Sequence, residues 1–462
     1  MQSTSTKPNY GGDEVAALVL DFGSSSLRAG YAGDDTPKAI IPTSFGYLEE
    51  EAASNGDVSM GDASAPEGEQ LQAPKPKAKL YIGQNGPSLW RRGMHVANPM
   101  NDGLIQNFDT VPPLINHALS EVMRCNAAEH PVLVTEAAWN TTANRERMAE
   151  IMFEEFQVPA FYIANTGVLN AFAAGKGSAL VIDIGQSTAS VTPVVDGFVL
   201  RKGLQHCALP QLVHAHARHL LTSPSSNRPG IQLLPHQLIA SKMPVDVGVP
   251  PRFTLREDRI AGTTDSWRAW AEAHEVDEWI QSVGGCLVQG WNEQFAQQQG
   301  PRHYEFPTGY NNYFTGLERF AVGEQFFTHS TQLQASNPNL PKTIPALIMS
   351  SIGQTDLDLR QVLLGNVVLT GGGSLFAGFA DRLATEMSRQ FPHVGLHSIC
   401  PNALKLMRRQ VKIHAPGNPT ERRYGGWLGG SILASLGTFH QLWISKEEWQ
   451  EHGKAIVSQR CK

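Results

Sequence analysis

The sequence predicts a mixed α/β protein built of two duplicated lobes that face a shared ligand crevice, and three observations carry that prediction. A short strand-like run enters a D-x-G-x-S turn at Asp21, and the same arrangement returns at Asp183. A third apolar strand runs into the turn Gly371-Gly372-Gly373. At 462 residues the chain exceeds the size at which one hydrophobic core keeps growing, so at least two lobes are expected.

Each element follows from its pattern. Val15 to Leu20 is an apolar run of strand type followed at once by Asp21-Phe22-Gly23-Ser24-Ser25-Ser26. Ala179-Leu180-Val181-Ile182 runs likewise into Asp183-Ile184-Gly185-Gln186-Ser187-Thr188, which implies an internal duplication. Asn366 to Leu369 ends in Thr370-Gly371-Gly372-Gly373-Ser374 and leads into a helical stretch, Leu375 to Met387. Thr142 to Phe156 places Met148, Ile151, Met152 and Phe156 on one helical face. Ser445-Lys446-Glu447-Glu448 reads as a capping box that starts the final helix near Lys446. Strands alternating with helices in duplicated halves indicate α/β lobes with the crevice between them.

Composition excludes several function classes. The hydrophobic content is 41%, and no uninterrupted apolar run approaches the roughly 20 residues that span a bilayer. The segment MQSTSTKPNYGGDE lacks the features of a secretory signal, so the chain is expected to stay inside the cell. Cys125, Cys207, Cys286, Cys400 and Cys461 are scattered and fit reduced thiols. A net charge of -6 argues against a dedicated DNA-binding surface and against direct sequence-specific nucleic-acid recognition. From about Leu48 to Lys79 the chain is rich in Glu, Ala, Ser, Gly, Gln and Pro, acidic first and then lysine-bearing. It reads as a disordered insertion, either simply solvated or an acidic tail for a basic partner.

The repeated turns suit phosphate. Backbone N–H groups of Gly23, Ser24 and Ser25 can point at phosphate oxygens, the two serine hydroxyls add donors, and Arg28 supplies positive charge. Asp21 and Asp183, one from each unit, would face the same space and hold a divalent cation through water. The third turn, with no side chain at Gly371, Gly372 and Gly373, permits close backbone approach beside a base and ribose.

Whole stretches resemble actin and its relatives: Val19 to Asp35 (VLDFGSSSLRAGYAGDD), Glu129 to Phe156, Val367 to Leu383 and Tyr424 to Lys446. The resemblance weakens over the Leu48 to Lys79 insertion and from about Pro210 to Pro301. It implies the actin-like ATPase fold, duplicated ribonuclease-H-like lobes around a nucleotide cleft. By that likeness residues 1–47, 98–173 and 425–462 form a subdomain 1-like unit, and 48–97 a subdomain 2-like unit carrying the insertion. Residues 174–209 and 333–424 form subdomain 3, and 210–332 a divergent subdomain 4. The implied contacts to ATP are Asp21, Gly23, Ser24, Ser25, Arg28, Asp183, Gly185, Gln186, Ser187, Thr188, Gly371, Gly372, Gly373, Ser374 and Phe376. Asp21 and Asp183 would serve Mg2+ or Ca2+.

The same likeness marks losses. The glutamine that positions the attacking water in actin falls on Thr166, the nearby histidine on Ser190, and an aspartate of the second loop on Gln186. A threonine hydroxyl is too short for that water, and serine has no group titrating near neutral pH, so hydrolysis should be very slow and no catalytic residue is assigned. The stretches Glu136-Ala137-Ala138-Trp139-Asn140-Thr141 and His303-Tyr304-Glu305-Phe306-Pro307, with the insertion, look most like the fourth, nuclear class of actin-related proteins. That class implies a chromatin regulator in the nucleus: a scaffolding subunit of chromatin-remodelling and histone-acetyltransferase complexes, touching transcription and DNA repair. Its implied partners are actin, a helical segment of a remodelling ATPase or acetyltransferase scaffold, and histones. A long acidic insertion opposes self-docking, so no homopolymer is expected.

The alternative is a filament-forming cytoskeletal ATPase, which the insertion argues against. A sugar kinase would need a catalytic aspartate that cannot be placed, and a chaperone of the Hsp70 type would need a further peptide-binding domain. His214, His216 and His219 read as ordinary histidines, without a carboxylate or cysteine at ligand spacing. Trp267, Trp270, Trp279 and Trp291 read as core, with a partner-binding aromatic surface left open. Glu136 reads as structural.

Overall fold

A computed structural model of the chain describes residues 16–49, 78–225, 228–337, 339–391 and 411–461. Two six-stranded sheets organise it. In the first, Leu18–Phe22 runs antiparallel to Ser26–Tyr31, which in turn pairs with Ala39–Pro42. On its other side Leu18–Phe22 lies parallel to Val132–Glu136, followed by Ala160–Asn165 and the short Ile444–Ser445. The second sheet repeats the plan. Ala179–Ile184 runs antiparallel to Ala189–Val195 and parallel to Val367–Thr370, with Phe198–Val199 and Ile413–His414 outside them. Gln205–Cys207 completes it, also paired with Ala189–Val195. The duplication expected from the two D-x-G-x-S turns is therefore a duplication of strand order and direction. It fits the predicted actin-like α/β fold.

The central strands are buried on both faces, which is why they read as continuous apolar runs rather than as alternating ones. Each sheet has its own core. Leu18, Leu20, Leu133, Phe153 and Phe161 belong to one, and Leu180, Ile182, Leu369, Phe379 and Leu383 to the other.

Two helices tie the lobes by crossing between them. Thr166–Ala173 leaves the first sheet, yet its Ala171 packs with Ala179, Val181 and Val368 of the second. Gly425–Ser435 follows the second sheet, yet buries Trp427 in the first core, where the indole donates to the Val19 carbonyl at 3.1 Å. The helices press together so closely that a methyl group at Gly429 would sit 1.9 Å from the Leu169 carbonyl oxygen.

Boundaries differ in detail from the pattern reading. The first strand is Leu18–Phe22, two residues later at its end than expected, because pairing with Ser26–Tyr31 carries it through Asp21. The helix expected over 142–156 is Thr142–Glu150 continued by a π-helical turn Ile151–Glu155. Gly378 in the left-handed region delays the helix expected from Leu375 to Phe379–Gln390. The capping box at Ser445 is present, with both reciprocal bonds to Glu448. Of the acidic insertion, residues 50–77 lie outside the described residues. Its expected end points are ordered, for Leu48 and Lys79 are register partners in a strand pair. Cys125, Cys207, Cys286 and Cys461 are free thiols, and Cys400 lies outside the described residues. Among the described residues no helix is long and apolar enough to cross a membrane.

The helix crossing generates a direct expectation. Gly429→Ala should cost about 1–3 kcal/mol or more, because a backbone carbonyl cannot rotate away from the new methyl. Thermal denaturation should show a melting point several degrees lower. An unchanged melting point would mean that the two helices part freely.

Candidate functional site

The two hairpin turns that carry the D-x-G-x-S pattern are built alike. In the first, the Gly23 N–H donates to the Ser26 carbonyl at 3.1 Å, and in the second the Gly185 N–H donates to the Thr188 carbonyl at 2.9 Å. Each turn places its aspartate two residues earlier, at the end of a buried strand. The turns face one another, since Ser24 and Ser187 share a hydrogen bond between their hydroxyls at 2.5 Å. Residues 163 positions apart are thereby brought to one point.

The two aspartates have different surroundings. Asp21 is buried and receives the Thr135 hydroxyl at 2.5 Å and the Arg28 guanidinium, its antiparallel register partner. Arg28 lies over the Tyr424 ring, 5.1 Å from its centroid, and its Nε has no protein partner. In the second hairpin the position opposite Asp183 is Ser190, which brings no charge. Desolvation, followed by the charge of Asp21, pushes the Asp183 carboxyl up to about 6, with Arg28 opposing the shift. Two carboxylates sharing one cleft with a single guanidinium fit a divalent cation, which would neutralise the charge that holds Asp183 high. Ser24, Ser187 and the buried Thr188 add hydroxyls around the same space, and the Ser187 and Thr188 hydroxyls lie 3.3 Å apart.

The third turn is locked onto the second hairpin. Gly371 has φ +88°, and a methyl group there would lie 2.3 Å from both the Asp183 carboxylate and the Ile184 carbonyl, so only glycine fits. Gly372 is exposed, and Gly373 packs on Ile184. Ser374 is fully buried and donates its hydroxyl to the Gly371 carbonyl at 2.7 Å, so it shapes the turn rather than presenting a group to the cleft. Phe376 wedges against Gly284 and Gly323. Ser25 is exposed at the tip of the first hairpin. The exposed Gln186 turns its amide toward Asp277, 3.5 Å away.

Sequence reasoning missed several neighbours. Asp277 stands beside Gln186 and also 3.6 Å from the His214 ring, so the fold supplies a carboxylate that the spacing around His214 does not. Desolvation pushes the Asp277 carboxyl up while His214 and His274 oppose it. No group of three metal-ligating side chains occurs among the described residues. Thr135 sits within a recognised stretch, yet nothing in its spacing reveals that it holds Asp21. Glu136, read as structural, pairs with Arg145 at 3.0 Å and Asn140 at 3.0 Å. At the far side of the turns Trp139 stacks on His206 across the lobes, with ring centroids 4.3 Å apart and planes 6° from parallel.

Thr166 begins its helix beside the site. A methyl at Gly426 would lie 3.6 Å from the Thr166 Cγ2 and 3.8 Å from the Asp21 carboxylate. Ser190 is buried. Neither side chain titrates near neutral pH.

The carboxylate pair sets a pH dependence with a definite sign. In the free protein the Asp183 value of about 6 lies above its ordinary 3.8, so the fold favours the protonated acid and loses that stability as pH rises through this window. A bound divalent cation reverses the preference. Any stabilisation by a divalent cation with nucleotide should therefore be full at pH 8, about 2.7 kcal/mol at a hundredfold excess over Kd, and shrink below pH 6. Differential scanning fluorimetry across pH checks this. Asp183→Asn should flatten the profile, and an equal gain at pH 5 and pH 8 in the wild type would exclude Asp183 from cation binding.

Comparison with known proteins agrees with the duplicated lobes and their three glycine-bearing turns. The family model for Actin matches residues 12–462. Actin-related protein 4 of Emericella nidulans is 38% identical, with 98% of each chain covered. Actin-related protein 4 of Mycosarcoma maydis is 35% identical over 98% of this chain and 99% of its own. The protein of that name in Schizosaccharomyces pombe is 33% identical over 99% and 100%. With matching strand order in both lobes and full-length similarity, the chain belongs to the actin family.

Proposed function

We propose that this chain is a nuclear actin-related scaffold of the fourth class, binding ATP with Mg2+ or Ca2+ as a structural ligand and hydrolysing it very slowly. The observation that carries the reading is the pair Thr166 and Ser190, hydroxyl residues beside Asp21 and Asp183 at the positions where the family resemblance expects a glutamine and a histidine. The residues named for the nucleotide include backbone donors, hydroxyls and one guanidinium, with Ser374 shaping its turn, so binding is retained in this reading. What is missing is a group to position water and one to move a proton, and each such loss costs about a hundredfold or more. Nucleotide then acts by linkage, stabilising the closed arrangement of the lobes rather than driving a cycle.

The relatives named Actin-related protein 4 support the class. From that likeness the chain works as a subunit of chromatin-remodelling or histone-acetyltransferase assemblies, paired with actin on a helical segment of a larger scaffold and contributing histone contacts. The unit boundaries drawn from sequence belong to the same reading, with residues 210–332 as the divergent fourth unit. The acidic insertion replaces a loop that would dock a second copy, so the chain does not polymerise.

Turnover of γ-labelled ATP by purified protein tests the catalytic part. The wild type should be slower than filamentous actin by at least about a hundredfold, and Thr166→Gln combined with Ser190→His should raise the rate. Wild-type turnover matching filamentous actin would sink the assignment. Affinity purification from nuclear extract tests the partners. Recovery of the chain without actin would remove it from this class of assembly.

A further inference from the structure

The helix Asp265–Val283 carries a buried acid that the cleft chemistry does not use. Glu275, Glu278, Trp279 and Ser282 follow one another at spacings of three and four, so they share one face of the helix. That face packs on the two-stranded ribbon Arg302–Glu305 and Asn311–Phe314. The Trp279 indole meets the Phe314 ring edge to face with centroids 5.2 Å apart, and the Arg302 guanidinium donates to the Ser282 carbonyl at 3.1 Å. Desolvation pushes the Tyr304 phenol up, and the charges of Glu278 and Glu275 push it further, so the three groups stand together at this seam.

Glu275 is only 7% exposed, and its Oε2 has no hydrogen-bond partner among the described residues. One turn on, the fully buried Trp279 keeps its indole N–H without a partner as well. The cations of the surrounding elements are engaged elsewhere. Arg218 and Arg268 both pair with Glu272, at 2.5 and 2.8 Å, and the His214 ring faces Asp277 at 3.6 Å. Arg228 pairs with Glu318 at 2.9 Å, Lys242 with Glu305 at 2.6 Å, and Arg319 donates to the Val283 carbonyl at 3.0 Å. His303 bonds to Asn311 at 3.2 Å. What faces Glu275 is therefore another carboxylate, Glu278, and a phenol. A carboxylate without a cation or a donor is costly to bury, whereas the neutral acid is tolerated.

We infer that Glu275 is a proton-dependent joint: the helix Asp265–Val283 stays packed on the ribbon while Glu275 is protonated and loosens when it ionises. The joint acts whether or not nucleotide is bound, so it stands apart from the function proposed above. Desolvation, followed by the charge of Glu278, pushes the Glu275 carboxyl from its ordinary 4.5 to about 7. With the folded value raised, the stabilisation is fully present below about 4.5, is lost progressively as pH rises, and is gone once pH has passed about 7. The packing thus responds to pH in the range just below neutrality.

Hydrogen exchange of the full chain, followed from pH 5 to pH 8, tests the joint. Glu275→Gln keeps the volume of the side chain and mimics the protonated acid, so it should stay packed throughout. The ratio of wild-type to variant opening in the segment Asp265–Val283 should rise about tenfold per pH unit, roughly a hundredfold in all, and level off above about pH 7. Taking the ratio cancels the intrinsic exchange rate and the titration of Asp183, Asp277 and the histidines. Strand Leu18–Phe22 should show a flat ratio. Glu278→Gln, which removes the facing charge, should give a smaller rise than wild type. Infrared difference spectra at pH 6 should show the C=O stretch of an undissociated carboxylic acid in the wild type that Glu275→Gln lacks. A flat ratio in the helix segment, or no such band, would overturn the joint.

Discussion

Everything in the molecule turns on two carboxylates that the fold brings face to face. Asp21 and Asp183 come from the ends of equivalent strands in separate lobes, and the charge of Asp21 helps to push the Asp183 carboxyl to about 6. Such a pair is tolerable only if something offsets it. Arg28 offsets Asp21, but Ser190 offers Asp183 nothing, so the second half of the cleft remains electrostatically incomplete. A divalent cation with its nucleotide completes it, which makes the ligand a part of the structure in the proposed reading.

The surrounding architecture holds that opposition in place. Two crossing helices, Thr166–Ala173 and Gly425–Ser435, exchange lobes beneath the cleft and approach at glycines where no side chain fits. The third turn is fastened to Asp183 itself through Gly371. The segment around Met94 and the helix Asp265–Val283 join through Trp267, and Trp139 stacks on His206. These contacts all restrict how far the lobes can separate.

Much of this was legible in the sequence because the relevant signals are local. A strand followed by D-x-G-x-S specifies a turn whatever the rest of the chain does, and Ser445 with Glu448 specifies a helix start in the same way. What could not be read depends on residues distant in sequence. Thr135 holding Asp21, Asp277 beside His214 and Gln186, and the Arg28 to Tyr424 contact join positions that only the tertiary fold makes neighbours. Trp267 and Trp270 at helical spacing could be assigned to a core, yet not to a core shared by two units, since periodicity reveals a buried face and not what buries it. Ser374 has a place in a glycine turn that suggests a ligand contact, while the bond of its hydroxyl to the Gly371 carbonyl shows only in the folded turn.

The central claim, that nucleotide is a structural ligand and not fuel, is tested most directly by what the purified chain carries. Protein isolated with Mg2+ and no added nucleotide can be denatured and the released nucleotide identified and counted by ion-pair chromatography. The account predicts close to one nucleotide per chain, with the γ-phosphate intact after hours at room temperature. Recovery of mostly ADP, or of empty protein that melts as it does with ATP, would contradict it.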